Sequence, residues 1–287
     1  LLKSTDDFIL AAEKKGYNKR ILPGKYRIKK GMGNNEIINT LRSQRLTTTV
    51  VFNNQERIED LVGRIAIQIE ADSLELLNAF QDQVFLSENG FTKVDALTMY
   101  LPNSYDVFWD ITPQDFRKRM LDYHNLFWSE KRMDKAKDLN LSPKDVYILA
   151  SILQKETLHT NEQQRISGVY LNRLKIGMKL QADPTVIFAL KKESDDFQRV
   201  IKRVLYKDLR TKSTYNTYRH KGLPPGPITM PDLSAIDAVL DYEKHNYLYF
   251  VASTTNPGYH LFAKNLREHN KNKKVYTSWL RKQNIYR

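Results

Sequence analysis

The 287-residue chain contains no cysteine. That excludes disulfides and thiolate metal sites, and it leaves the compartment open. It also lacks any run of about 18 apolar residues, so nothing in it reads as a membrane span. There is no Gly-Lys-Ser/Thr phosphate loop, no GxGxxG and no GxSxG elbow. The six histidines stand at 124, 159, 220, 245, 260 and 269, and no pair has the HExxH-like spacing with a third ligand. No zinc and no other cofactor is therefore expected. Acids are the minority, 33 against 46 Lys and Arg, for a net charge of +13 and a pI near 9.6. Such a balance favours a polyanionic partner: nucleic acid, an anionic membrane surface or an acidic cell-wall polymer. The basic residues are spread along the chain, which equally suits plain solubility. With 41% hydrophobic residues the chain can build a core for one large or two smaller domains.

The most informative stretch runs from Ser142 to Thr185. Ser142 is a good N-cap, Pro143 fits the first helical position, and Asp145 occupies the capping-box position. Leu149, Ile152, Leu153 and Glu156 then follow at i, i+3, i+4 and i+7, the stripe of an amphipathic helix. The last member is a carboxylate where an apolar residue belongs. Partial burial raises a carboxyl's pKa and lets it hold a proton near neutrality, as a general acid must. The plainer reading is an exposed helix end beside Lys155. The neighbours favour the acid. Asn161 reads as a second N-cap with Gln164 at the box position, Ile166, Val169, Tyr170 and Leu174 form the next stripe, and Gly177 stops it. Asp183-Pro184 reads as a third cap and first turn. Three short helices would then surround Glu156 with Asn172, Arg173, Gln181 and Asp183.

Upstream, Lys25 to Ile28 reads as a strand, with a turn at 31–33 and a helix from Asn34 to about Leu41. Thr47 to Phe52 is a second strand, followed by a helical stripe of Ile58, Leu61, Val62, Ile65 and Ile69. Leu74, Leu77 and Phe80 suggest a further short helix, and Thr112 caps a long scaffold helix through Phe127. Downstream, Tyr215, Asn216, Thr217 and Tyr218 lead into Gly222-Leu223-Pro224-Pro225-Gly226-Pro227, an ordered loop. Aromatic faces stack on sugar rings and amide or hydroxyl groups bond their hydroxyls, so the loop reads as sugar-binding, against the alternative that its tyrosines fill the core. Tyr247 to Ser253 is a strand, and 259–262 returns as a hairpin.

Several segments in this order carry a resemblance: Ala150 to Thr157, Gly168 to Leu174, Gly177-Met178, Leu180 to Val186, Tyr215 to Tyr218 and Gly222 to Ile228. Together they closely resemble the YceG-like (MltG) family of endolytic murein transglycosylases, over roughly residues 20 to 285. The resemblance implies an α+β fold. A small LysM-like N-terminal module with its linking part would take 1–90. A helix-rich catalytic domain with a C-terminal β-hairpin would take 91–287. It implies Glu156 as the catalytic acid/base and His260, in the hairpin, as a substrate contact beside Asn172, Gln181, Asp183 and Tyr215 to Tyr218. It implies peptidoglycan strands as substrate, work beside wall-synthesis enzymes, and a single-pass inner-membrane anchor ahead of this chain with the catalytic part facing the periplasm. The LysM-like module would bind glycan or only position the catalytic part. There are departures. Leu97-Thr98 and Asn103 replace more acidic residues, Ala182 stands where Ser or Thr is usual, Met230-Pro231-Asp232 replaces an Asn-Pro-Gly-like turn, and the Gly before His260 is displaced.

Three functions compete. The first is a lytic transglycosylase that cleaves the bond between N-acetylmuramic acid and N-acetylglucosamine and leaves a 1,6-anhydro end. With Asp183 as a second acid, a two-carboxylate hydrolase is the chemical variant. The second is a non-catalytic glycan-binding scaffold, which has no need for an acid on an apolar stripe. The third is a nucleic-acid binder, suggested by the charge and sixteen tyrosines. Its basic residues form no RNP-like or helix-turn-helix pattern, so no nucleic-acid partner is expected.

Overall fold

The computed structural model describes residues 4–157 and 159–283. In chain order the elements are α1 (Thr5–Lys14), α2 (Asn34–Ser43), β1 (Thr48–Phe52), α3 (Ile58–Ala66), α4 (Ser73–Phe80), α5 (Gln83–Glu88) and β2 (Asn103–Val107). Then follow α6 (Pro113–Phe127), α7 (Glu130–Asp138), α8 (Pro143–Glu156), α9 (Thr160–Lys175), α10 (Asp183–Ser194) and α11 (Leu233–Leu240). The chain closes with β3 (Tyr249–Ala252), β4 (His260–Ala263) and α12 (Leu266–Lys282). This is the expected α+β mixture, helix-rich with two small antiparallel sheets and a C-terminal hairpin. No described helix is long and apolar enough to cross a membrane.

The chain divides into two compact units. The first takes 1–53, 58–82 and 103–120. Its sheet pairs β1 with β2, Val50 opposite Tyr105 and Phe52 opposite Asn103. Alternation sends Val50, Phe52, Tyr105 and Val107 to the buried face, where the Phe52 and Tyr105 rings stack at 5.2 Å. Helix α3 lays Ile58, Leu61, Val62 and Ile65 inward, and Phe80 of α4 stacks on Phe116. The expected strand over Lys25 to Ile28 is absent; the segment makes one isolated bridge, Lys25 to Leu46. Its side chains alternate in exposure, but alternation alone supplies no neighbouring ladder. Sequence reading had no strand at β2, although Tyr105 and Val107 carry its period.

The second unit takes 54–57, 83–102 and 121–287 and is built around α8. The predicted cap is present: Ser142 Oγ accepts from Asp145 N, and the Asp145 side chain accepts from Ser142 N at 2.9 Å. The helix is buried on more than one stripe. Every residue from Val146 to Leu153 is buried, so it is the core helix of the unit, not an amphipathic one. It packs against α7, α9, α10 and α11. Both hydroxyls in that run are satisfied within the core: Tyr147 donates to Tyr100 O, and Ser151 donates to Ile148 O and accepts from Ile228 N.

Helix α9 lies close enough to the 243–245 segment that only glycine fits at 168. A Cβ there would stand 2.5 Å from Glu243 O and 2.6 Å from His245 Nε2. Gly168→Ala should therefore destabilise the protein by about 1–3 kcal/mol through overpacking. An unchanged denaturant midpoint would show that this contact is slack.

Candidate active site

Glu156 is the last residue of α8, and Thr157 turns the chain to extended backbone behind it. The buried helix thus delivers its final side chain to the edge of the core, where it is partly buried. From α9, the buried Tyr170 donates its hydroxyl to Glu156 Oε2 at 3.1 Å. Burial pushes the Glu156 carboxyl up to about 7, and the negative charge of Asp183 adds to the rise. The Tyr170 bond and the positive charge of Arg173 act against it. The Tyr170 phenol is raised well above its ordinary range by burial and by Glu156, so it remains a donor.

Arg173 lies one turn beyond Tyr170 and is itself buried. Its guanidinium is spent on backbone: Nε donates to Leu248 O at 2.6 Å and Nη1 to Leu180 O at 2.5 Å. It ties the approach to β3 to the turn that starts α10. In that turn Gln181 has φ 51°, a left-handed conformation. The cap of α10 is Ala182, and Asp183 is the first helical residue, which corrects the expected Asp183 cap by one position. The backbone there is held by Thr217, whose Oγ1 accepts from Ala182 N at 3.0 Å and shares a 2.9 Å bond with Thr185 Oγ1. With its cap duty removed, the Asp183 carboxylate accepts from Tyr218 Oη at 2.6 Å. Likewise α9 starts at Thr160 with His159 as cap, so Asn161 is not the cap; its amide reaches Tyr259 Oη.

Glu156, Arg173, Gln181, Asp183, Tyr218 and His260 line one cavity of about 790 Å³, with β3 and one face of α12 as its other walls. That volume lies within the range of clefts that hold drug-sized ligands. His260 is fixed by Glu162, a buried carboxylate that accepts from the His260 backbone N at 2.9 Å and pairs with Nδ1 at 2.7 Å. A second, slightly larger cavity of about 860 Å³ lies against 138–145 and the 223–225 loop. Two of its three acids are engaged: Asp95 pairs with Lys144, and Asp145 caps α8, which leaves Asp138. The raised carboxyl of Glu156 marks the smaller cavity as the candidate site.

Four expected substrate contacts do not face that cavity. Asn172 donates to His245 O and Tyr247 O and borders the second cavity. Tyr215 is buried against Phe188, with the rings 4.7 Å apart. Asn216 is fully buried; its amide nitrogen donates to Leu209 O and Thr211 O, and its oxygen accepts from Tyr218 N. Thr217 is buried in the turn just described. The Asn216 amide is fully used within the protein and Thr217 is tied to Ala182 and Thr185, so of the four consecutive residues 215–218 only Tyr218 lines the cavity. Sequence reasoning missed Tyr170, Glu162 and the α12 face. Tyr170 was visible only as one member of an apolar stripe. Among the described residues no group of three or more His, Cys, Asp or Glu is placed to hold a metal ion.

A YceG-like family profile matches residues 1–275. The chain belongs to the YceG-like family. The endolytic murein transglycosylase of Bacillus subtilis is 38% identical over 169 residues, which is 59% of this chain and 44% of that protein. Its namesake from Streptococcus pneumoniae is 33% identical over 136 residues, 47% of this chain and 24% of that one. This YceG-like chain thus spans less than half the length of either curated relative it matches. A YceG-like protein of Listeria monocytogenes, solved by crystallography, superposes with a TM-score of 0.66 at 25% identity, covering 94% of this chain and 90% of the other.

Asn216→Ala should cost about 2 kcal/mol, because it removes the partner of two part-buried carbonyls and one N–H. The check is chemical denaturation. A variant that keeps full stability yet loses glycan binding would return Asn216 to the substrate.

Proposed function

We propose that this chain is the glycan-cleaving part of an endolytic murein transglycosylase that acts outside the cytoplasm on peptidoglycan strands. The observation that carries the reading is Glu156, a single carboxyl pushed up to about 7 in a cavity it shares with the carboxylate of Asp183. A group with that pKa is protonated often enough to give its proton away, and its conjugate base is strong enough to take one back. In the proposed reaction Glu156 protonates the oxygen between N-acetylmuramic acid and N-acetylglucosamine. The C1–O bond breaks and positive charge develops at C1. The carboxylate left on Glu156 then removes the proton of the muramyl C6 hydroxyl as that oxygen bonds to C1. The product is a 1,6-anhydro end, Glu156 is protonated again, and no water is consumed. Asp183, held by Tyr218, supplies the negative charge that steadies C1. Gln181 and His260 are the proposed sugar contacts, with Glu162 orienting His260. The first unit, with the LysM-like resemblance, would hold the glycan or position the catalytic unit.

The second reading is a hydrolase, favoured by the presence of two carboxylates in one cavity. Digestion of purified glycan strands in ¹⁸O-water separates the two. The transglycosylase gives unlabelled anhydro ends, and labelled reducing ends would replace it with the hydrolase. Glu156→Gln keeps the volume and loses the transferable proton, so cleavage should fall by at least ~10²–10⁴-fold. Near wild-type release of product by this variant would remove Glu156 from its role.

The pH dependence follows from the same carboxyl. The active free enzyme carries the proton on Glu156, so kcat/KM should hold below about 7 and fall as pH rises through it. Asp183→Asn removes a charge that raises Glu156, so the falling limb should move to lower pH, with a lower maximum. Tyr170→Phe removes a bond that favours the charged carboxylate, so the limb should move to higher pH. Limbs that move together, or not at all, would show that another group controls the profile.

A further inference from the structure

This inference rests on the glycan-cleaving reading of the cavity and extends it to what the sugar carries. The residues that α12 contributes to the cavity include His269, Lys273, Tyr276, Thr277 and Arg281, a strict i, i+3, i+4 face. Helix α12 packs on β3 and β4, and a helix laid on a hairpin normally turns an apolar stripe inward. Here Lys273 and Arg281 occupy positions on that face, both exposed. Neither is ion-paired among the described residues. The His269 imidazole is pushed down by burial and by the positive charges of Lys273 and Arg173. The α12 wall of the cavity therefore carries cations with no ion-pair partner among the described residues.

While the lactyl carboxyl of each muramyl residue is held in the amide to its peptide, the sugar backbone is uncharged and gives such a wall nothing to bind. What recurs along peptidoglycan beside the bond to be cut is the short peptide on the lactyl group of each muramyl residue, and that peptide carries carboxylates. Lys273 and Arg281 lie about 12 Å apart along the helix axis at 1.5 Å per residue. An extended peptide covers that distance in roughly three to four residues. We propose that the inward face of α12 is the subsite for the stem peptide of the muramyl residue being cleaved, with Lys273 and Arg281 each holding one of its carboxylates. Tyr276 and Thr277 lie between them along the peptide's path. The enzyme would thus select peptide-bearing strands over strands stripped of peptide.

The test compares purified uncrosslinked strands with the same strands after an amidase has removed their peptides, which leaves one lactyl carboxylate at each muramyl sugar but none out along a peptide. Wild-type kcat/KM should be about tenfold or more higher on the peptide-bearing strands, the scale of one charge-assisted hydrogen bond. In Lys273→Ala/Arg281→Ala the ratio should fall to near one, with the fold checked by circular dichroism. A wild-type ratio of one, or a ratio that survives the double substitution, overturns the proposal. Cleavage of neither strand by wild type would count against the transglycosylase reading instead. The subsite is then read by calorimetry, titrating a peptide-bearing disaccharide into Glu156→Gln protein with and without the double substitution. Peptide-dependent binding that the double substitution abolishes supports the subsite. No peptide-dependent heat overturns it. A glycerol-phosphate polymer that binds through Lys273 and Arg281 where the peptide does not would assign the wall to phosphate and overturn it too.

Discussion

A carboxyl that keeps its proton near neutral pH has to be taken out of water, and that costs stability whenever it ionises. Glu156 is held above the ordinary carboxylate value of 4.5, at about 7. The sign is that of a group that binds protons more tightly when folded. Folding is unpenalised below the unfolded pKa, and stability drains away as pH rises from 4.5 to about 7, to a total of about 3 kcal/mol. The rest of the second unit meets that cost. Helix α8 buries eight consecutive residues, Val146 to Leu153, immediately before the carboxyl. A core helix of that kind can end on an unfavourable charge without fraying, which a marginal surface helix could not.

What keeps Glu156 from becoming an ordinary ion pair is where the cations point. Arg173 sits near it but turns its donors to the carbonyls of Leu180 and Leu248. Lys155 directly precedes Glu156 in sequence yet reaches Glu56, which it shares with Lys191. Glu56 is the internal comparison. Burial would raise its carboxyl as it raises Glu156, but direct hydrogen bonds from two ammonium groups outweigh that and hold it low. Two glutamates in one unit thus diverge because one is given cations in contact and the other a single phenol. Tyr170 provides a hydrogen bond without a charge, enough to orient the carboxyl and too little to deprotonate it.

This division explains what could and could not be read from the sequence. The Ser142 box, the Leu149 to Glu156 stripe, the strand at 48–52 and the hairpin were legible because each is a local pattern with one dominant period. Glu156 stood out as a carboxylate in an apolar register. Where the placement differs from expectation the cause is shared: polar residues expected at the cavity are paired within the fold. Asn172, Asn216 and Thr217 all lie in segments rich in amides and hydroxyls, and nothing in such a segment says whether its partner is a sugar or another group of the chain 5 to 75 residues away. Tyr170 failed the other way, hidden as an apolar residue because its ring packs in the core and only its oxygen reaches the site. The α12 face was written plainly in the i, i+3, i+4 spacing from His269 to Arg281. It was passed over because a basic helix in a chain of net charge +13 looks like solvent-facing surface.

The shift of the α10 cap from Asp183 to Ala182 bears on the chemistry as well as on the boundary. Had Asp183 been the cap, its oxygens would have been tied to backbone N–H groups and turned into the helix. Instead Thr217 takes over the backbone at that turn, and Asp183 keeps one oxygen on Tyr218 at the positive end of the α10 dipole. An attacking nucleophile, or a base that places water, needs a free lone pair aimed at C1. A carboxylate pinned by a phenol is better suited to act as a fixed negative charge. In the proposed reaction that charge would keep the proton on Glu156 before bond cleavage, and afterwards it would face the cation left at the sugar. The turn that frees Asp183 from capping would therefore serve both halves of a reaction with one acid/base, and it would favour ring closure over the entry of water.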